Sequence, residues 1–174
     1  MNQPVARAIL RSGQWLKADG RVTLGYDARF LRRKRLVAED GSSFLVDLTE
    51  TTSLDQGDAF KLSDGRLIVV IAAKEPVVQV RGDLPRLAWH IGNRHTPCQI
   101  EADHLVIRRD HVLEKMLTGL GAELAICDAP FRPEGGAYGH GRTMGHDHGG
   151  HDHAHDHADD HGHSHGHGHV HFHG

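Results

Sequence analysis

The chain contains 174 residues, of which 38% are hydrophobic, and has a formal net charge of −3, which suits one ordinary domain or two small ones. Its composition is uneven: residues 138–174 contain six hydrophobic residues, nine glycines and 14 of the 18 histidines. A segment of this kind buries too little apolar surface to offset the entropy lost on ordering it. We therefore predict a folded body followed by a disordered, His-rich tail.

Charge and cysteine usage exclude several classes of protein. The body, residues 1–137, carries 19 Lys and Arg against 18 Asp and Glu, so it lacks the basic excess typical of nucleic-acid-binding proteins. No apolar run approaches the ~18–20 residues that span a bilayer, and the first residues lack the pattern of a secretory signal. Cys98 and Cys127 form no CxxC motif, which argues against a disulfide framework or a structural zinc-thiolate site. These features favour a cytoplasmic protein with neither a membrane nor a nucleic acid as its partner.

Residues 1–74 are predicted to form a small all-β domain, either a sandwich or a barrel-like unit. Asp-Gly pairs, which favour tight hairpin turns, lie between short apolar stretches at residues 6–10, 22–26, 36–38, 44–48, 59–62 and 67–73. The same region contains one basic cluster, which we interpret as a solvated strand face or a partner-docking patch: Arg29, Arg32, Arg33, Lys34 and Arg35.

Residues 75–137 are predicted to form a second domain with the element order βαββαβ. The chain changes character at residues 74–76, and a strand follows at 77–80. Asp83 is a candidate N-cap for a helix whose apolar residues recur at helical spacing up to Ile91. Two short strands are expected within 99–108. Asp110 then caps a second helix that Gly121 ends, and a last strand covers 122–127.

This element order is the split β-α-β arrangement of ferredoxin-like domains. The predicted fold class is therefore α+β: the N-terminal β domain (1–74), a ferredoxin-like domain (75–137) and the tail (138–174). A domain of about 60 residues has a thin core, so dimerisation is a reasonable expectation.

The histidines of the tail indicate metal binding. They recur mainly at alternate positions, and in an extended chain residues two apart lie on the same side, about 6–7 Å from each other. Two neutral imidazoles at that spacing suit one nickel, zinc, copper or cobalt ion. Because the tail must order around each ion, we expect weak sites that act as a reservoir. The candidate ligands are His140, His146, His148, His151, His153, His155, His157, His161, His163, His165, His167, His169, His171 and His173.

The body contains four histidines, of which two are candidates for a specific site. His95 follows Ile91 by four residues, so a helix that extends that far places it on the apolar stripe, as a core residue or facing its copy in a two-fold dimer. His111 lies in the first turn of the second helix. His90 and His104 are interpreted as structural or surface residues.

Four motifs occur in the order seen in a known family. The chain resembles the UreE family of urease accessory metallochaperones in Gly92-Asn93-Arg94-His95-x-Pro97, Asp110-His111-Val112-Leu113 with Met116-Leu117, Leu120-Gly121-Ala122, and Pro130-Phe131-x-Pro133-Glu134-x-Gly136-Ala137-Tyr138, followed by a His-rich end. The match is specific from about residue 85 to 140. The Gly57-Asp58 pair and residues 64–75 fit the first domain of the family more loosely.

The resemblance implies a homodimer that is not an enzyme. Members bind Ni(II) and pass it to the urease apoprotein through other urease accessory proteins, including a GTPase. The first domain is likened to peptide-binding chaperone domains. By resemblance, His95 is the interfacial metal ligand and His111 a peripheral one; some members carry another histidine where this chain has Arg109.

Two alternatives to a metallochaperone follow from the residues. A metal hydrolase needs about three fixed protein ligands and a general base, yet the body contains no HxH or HxxxH pair. A nickel or zinc storage or buffering protein would need only the tail. Imidazole affinities follow the Irving–Williams order, so the tail alone prefers copper and does not specify Ni(II) over Zn(II), Cu(II) or Co(II).

Overall fold

The computed structural model describes residues 3–135, and the predicted tail lies outside the described residues. Within them the chain is a mixed α+β protein with two sheets. The strands and helices are β1 (Val5–Leu10), β2 (Gly20–Leu24), β3 (Phe30–Val37), β4 (Ser43–Ser53), β5 (Ala59–Leu62), β6 (Leu67–Ala72), β7 (Lys74–Arg81), α1 (Leu84–Gly92), β8 (Gln99–Ile100), β9 (Leu105–Arg108), α2 (His111–Gly119) and β10 (Glu123–Pro130). No helix among residues 3–135 combines the length and apolar character needed to cross a bilayer.

The first sheet contains six strands in the order β2-β6-β5-β1-β4-β3. Buried residues alternate along β4 and β6, and they build one core with Phe44, Phe60 and Ile68 at its centre. Glu39, two residues beyond the edge strand β3, donates its backbone N–H to the carbonyl of Arg21 on the other edge strand, β2, at 2.9 Å, so the two edges meet at one end. Of the two predicted arrangements, the observed one is therefore closer to a barrel than to a sandwich of stacked sheets.

The second sheet follows with the order β10-β7-β9-β8, and its elements have the predicted sequence βαββαβ. Both helices contribute to one core, in which Leu87 and Ile91 of α1 meet Leu113 and Leu117 of α2 and alternate residues of β7 and β9. Two boundaries differ from prediction. β7 already begins at Lys74, so residues 74–76 are part of a strand, and β10 continues to Pro130 because it pairs with β7 along its whole length.

The basic cluster is split by the fold, which corrects one prediction. Arg29 ends a short 3-10 helix and is only 2% exposed, whereas the other four cations lie exposed on β3. Arg29 Nη2 donates to the carbonyl of Phe131, whose ring lies edge-on to Tyr26 at 5.2 Å. The guanidinium of Arg108 lies 4.9 Å from the centre of the Tyr26 ring and bonds Asp27 at 2.9 Å. Arg29 is therefore part of the buried junction between the two sheets.

Candidate metal centre

His95 does not lie on a helix, so the condition under which it would join the apolar stripe of α1 is not met. Asp83 caps α1 as expected, accepting a hydrogen bond from the backbone N–H of Arg86, but the helix ends at Gly92. His95 follows in an exposed turn with a φ of 55°, which is the left-handed region of backbone space. Among the described residues it is the one non-glycine residue with positive φ.

The hydrogen bonds around His95 explain this conformation. The N–H of His95 donates to the carbonyl of Gly92 at 2.9 Å. The N–H of Thr96 donates to the carbonyl of Ile91 at 3.4 Å. These two bonds form a Schellman motif, in which the residue just beyond the helix adopts the left-handed conformation. His95 therefore occupies a position that glycine usually fills.

The end of α2 provides a direct comparison. The N–H groups of Gly121 and Ala122 donate to the carbonyls of Thr118 and Leu117, both at 3.0 Å, and Gly121 has a φ of 85°. The same motif thus ends both helices, with glycine in one and His95 in the other. A side chain in the left-handed region costs roughly 1–2 kcal/mol, and such strain is concentrated at functional sites. This contrast makes His95 the leading candidate ligand of the body.

His111 is the first residue of α2 and is exposed. The Asp110 carboxylate caps the helix, accepting hydrogen bonds from the N–H groups of Val112 and Leu113, both at 2.9 Å. Next to it, Arg109 Nε bonds the carboxylate of Glu114 at 2.8 Å, which lowers the pKa of Glu114. Arg109, directly before Asp110, is thus a cation that the ion pair with Glu114 holds in place. Its positive charge disfavours the binding of a metal cation near His111.

Replacing Arg109 by histidine should therefore create a stronger peripheral site. Asp110 is extended, with φ −154° and ψ 111°, so the side chains at 109 and 111 leave the backbone on the same side. We expect Arg109→His to tighten secondary nickel binding by about tenfold in calorimetric titrations. Arg109→Gln is the matched control, since it removes the charge without adding a ligand. Equal tightening in both variants would show that charge alone matters and that residue 109 does not bind metal.

The other two histidines of the body are held by neighbours. The half-buried ring of His90 lies edge-on to Trp89, with ring centres 5.0 Å apart. His104 Nδ1 lies 2.7 Å from the Asp103 carboxylate, whose pKa is lowered to about 2 by hydrogen bonds from Arg81 and then from His104 itself. These contacts agree with their predicted structural role.

Neither cysteine is part of a group of three metal-binding side chains among residues 3–135. Burial raises the pKa of the Cys98 thiol to about 11, and the nearby Glu134 carboxylate adds to the rise. Cys98 is therefore protonated at neutral pH, and the thiolate is the form that binds metals. Cys127 is a free, half-buried cysteine on β10 that packs against the junction between the sheets.

Within residues 3–135 of one chain, no three His, Cys, Asp or Glu side chains come together as a metal site. The described fold instead presents two exposed imidazoles, His95 after α1 and His111 at the start of α2. Exposed apolar side chains lie on the same two helices: Trp89 is 64% exposed and Val112 is 58% exposed. The tail histidines, from His140 to His173, lie outside the described residues.

Comparison with known proteins identifies the family. The family model of the UreE urease accessory protein, N-terminal domain, matches residues 5–73, and the model of the C-terminal domain matches residues 68–173.

Three similar relatives are each named "Urease accessory protein UreE". The protein from Cereibacter sphaeroides is 69% identical over 147 residues, covering 84% of this chain and 81% of the relative. Those from Ruegeria pomeroyi and Rhodobacter capsulatus are 62% and 64% identical, covering 85% and 83% of this chain and 100% and 92% of the relatives. These matches confirm the resemblance in the motifs: the chain belongs to the UreE family of urease accessory proteins, whose members are accessory chaperones and not enzymes.

Proposed function

We propose that this chain is a cytoplasmic nickel metallochaperone that takes part in urease maturation by delivering Ni(II) to the urease apoprotein, together with other urease accessory proteins, including a GTPase. The observation that carries the proposal is His95, an exposed imidazole held in a strained conformation that glycine normally adopts. Glycine would end α1 without this strain, as Gly121 does after α2. Membership of the family supports the same function.

The proposed organisation has a β domain at 1–74, a ferredoxin-like domain at 75–137 and a metal-binding tail at 138–174. The strand order of the second sheet supports the ferredoxin-like assignment. A homodimer is supported by the thin core of a domain of about 60 residues. Trp89 and Val112, exposed apolar side chains on the helices beside His95 and His111, are the candidate interface residues. A two-fold axis near the end of α1 would bring His95 next to its copy.

This arrangement explains how a tightly bound ion could still be released. One imidazole from each chain holds the nickel, and the remaining coordination positions are filled by tail imidazoles or water. A ligand from the receiving protein adds at such a position before either His95 leaves. The ion is cargo, so an incomplete set of rigid ligands favours transfer over permanent binding.

A storage or buffering protein is the second candidate, because it needs only the tail. The two candidates are separated by measuring urease activation with the full chain and with His95→Asn at equal nickel loading. Asparagine tolerates the left-handed conformation but lacks the imidazole. A chaperone that uses His95 loses most of its activating effect in this variant, whereas a tail-based buffer retains all of it.

Acidification should release the tail-bound metal steeply between about pH 7 and pH 5.5. An unperturbed histidine has a pKa of about 6.5, and an imidazole must be neutral to bind a metal ion. With all 14 tail histidines protonated, the charge of residues 138–174 rises from −4 to a limit of +10. Equilibrium dialysis with nickel across this range measures the release. Binding that is unchanged at pH 5.5 would show that carboxylates hold the metal instead of histidines.

A further inference from the structure

Five cationic side chains cluster on and beside β3, an edge strand of the first sheet. We use the name basic face for the exposed cations around this edge strand: Arg7 on β1 and Arg32, Arg33, Lys34 and Arg35 on β3. Arg7, Arg33 and Arg35 leave the sheet on the side of Asp47, whereas Lys34, paired with the buried Val46, leaves it on the other side. Arg7 and Arg33 lie close together, because their Nε atoms share the Asp47 carboxylate at 4.0 and 3.7 Å. The proposed function does not use this face.

The basic face is poorly neutralised by the described part of the chain, in which Asp47 is the one carboxylate that forms an ion pair with it. Arg32 and Arg35 instead have neutral partners, the carbonyl of Leu48 at 3.5 Å and the Ser43 hydroxyl at 3.2 Å. Five positive charges against one negative charge leave a surplus of four. Such a surplus attracts an acidic partner.

The tail of the same chain has the complementary charge. With neutral histidines, residues 138–174 carry five Asp against Arg142, a net charge of −4. With an ordinary imidazole pKa of about 6.5, this charge is reached near pH 8, whereas at pH 7 about a quarter of the imidazoles are protonated and the net charge falls to about −1. These aspartates are interleaved with the candidate metal ligands, so metal binding and charge are properties of the same segment. Each divalent ion bound adds two positive charges, and two ions bring the tail to zero.

The described chain also ends near the basic face. Arg29, directly before β3, donates a hydrogen bond to the carbonyl of Phe131, four residues before the last described residue, Gly135. Arg35 is six residues beyond Arg29, which in a strand is on the order of 20 Å. The first tail aspartate, Asp147, follows Gly135 by 12 residues and reaches at most about 40 Å. The tail is therefore long enough to place its aspartates on this face.

We propose that the metal-free tail docks on the basic face of its own chain and that metal loading releases it. The contacts are ion pairs between Asp carboxylates and Arg or Lys, each weak at an exposed surface but strengthened by the high effective concentration of a tethered segment. A tail that holds more than two divalent ions is positive and is repelled. The proposal rests on metal binding by the tail, which is part of the proposed function. Its consequence is that the basic face becomes available to other partners only when the chaperone carries metal.

Amide NMR spectra of the full chain test the contact, with zinc as a diamagnetic probe. In 20 mM NaCl at pH 8, where the tail histidines are neutral, the backbone amides of residues 32–35 should shift when zinc is added. Raising NaCl to 500 mM without zinc should move them to similar positions, because salt screens exposed ion pairs. Amides that respond to neither treatment would overturn the docking. Shifts that depend on protein concentration would overturn it too, since they indicate a second molecule as the partner.

Calorimetric titration with zinc tests the linkage between docking and loading. Because docking and metal binding oppose each other, weakening the docking must strengthen zinc binding by the same factor. At pH 8 we expect Lys34→Gln with Arg35→Gln to tighten zinc binding by the tail two- to fivefold in 20 mM NaCl and not in 500 mM NaCl. The matched control is Arg86→Gln with Lys115→Gln, which removes the same charge from exposed positions on α1 and α2.

The outcomes separate this proposal from the proposed function. Zinc binding by the tail that is equal in all variants would overturn docking and leave the metallochaperone unaffected. A full chain that binds no zinc beyond a His95 site would overturn both metal-driven release and the metal-binding tail, even if the amides of β3 respond to salt.

Discussion

Replacing His95 by glycine should abolish the tight nickel site and at the same time stabilise the fold. Glycine adopts the left-handed conformation of the Schellman motif without strain, so the free energy of unfolding should rise by up to about 1 kcal/mol once the larger chain entropy of glycine is allowed for. Nickel binding by a chain ending at Gly139 should fall from one ion per dimer to none. In the proposed two-fold dimer, one substitution removes both ligands of the body. Calorimetry with nickel and denaturant unfolding measure the two effects on the same variant.

Two further variants separate the loss of the ligand from a change in the backbone. His95→Asn keeps a side chain that tolerates the left-handed conformation, and it should abolish the tight site with little change in stability. His95→Ala should abolish it too. His90→Ala, on α1 and five residues before His95, should leave nickel binding intact. Undiminished binding of one nickel per dimer in His95→Asn or His95→Ala would show that the interfacial site is wrong. A large loss of stability in His95→Gly would show that the imidazole anchors the fold.

The helices were predictable because their signals are local. Asp83 and Asp110 accept hydrogen bonds from N–H groups two or three residues later, and the apolar residues at helical spacing form the observed core. Gly121 fills the position after α2 that glycine favours. The preference for glycine just beyond a helix fails at the end of α1. Gly92 is still helical, and the residue with the left-handed conformation is His95, three residues later.

Long-range contacts explain the other differences. Arg29 looks like part of a solvated basic strand, and its burial depends on the carbonyl of Phe131, 102 residues away in the chain. The extension of β7 back to Lys74 depends on pairing with β10, which no local pattern reveals. The candidate site was predicted as residues, His95 and His111, but not as geometry. The ion pair of Arg109 with Glu114 has a local signal, since a cation just before the N-cap Asp110 lies five residues from an acidic residue in the first turn of α2.

Removing the tail should cause the largest loss of bound metal. Fourteen histidines at about two to four per ion allow on the order of four to seven weakly held ions per chain, whereas the proposed body site holds one per dimer. A chain ending at Gly139 should therefore lose most of its nickel and stay folded and dimeric. Such a chain keeps every described core residue, including Phe131 at the junction between the sheets.

Metal analysis after dialysis, with circular dichroism and sedimentation on the same samples, checks this prediction. The control is the full chain with His95→Asn, which should lose the tight site and keep the weak ones. The truncated chain therefore keeps only the tight nickel site, and the His95→Asn chain keeps only the weak ones. Tail sites are weaker because the tail must order around each ion that it binds, whereas the proposed interfacial imidazoles are held in place by the fold. Unfolding on truncation would show that the tail belongs to the core. A truncated chain that retains most of its metal would show that the ligands lie in the body, beyond His95 and His111.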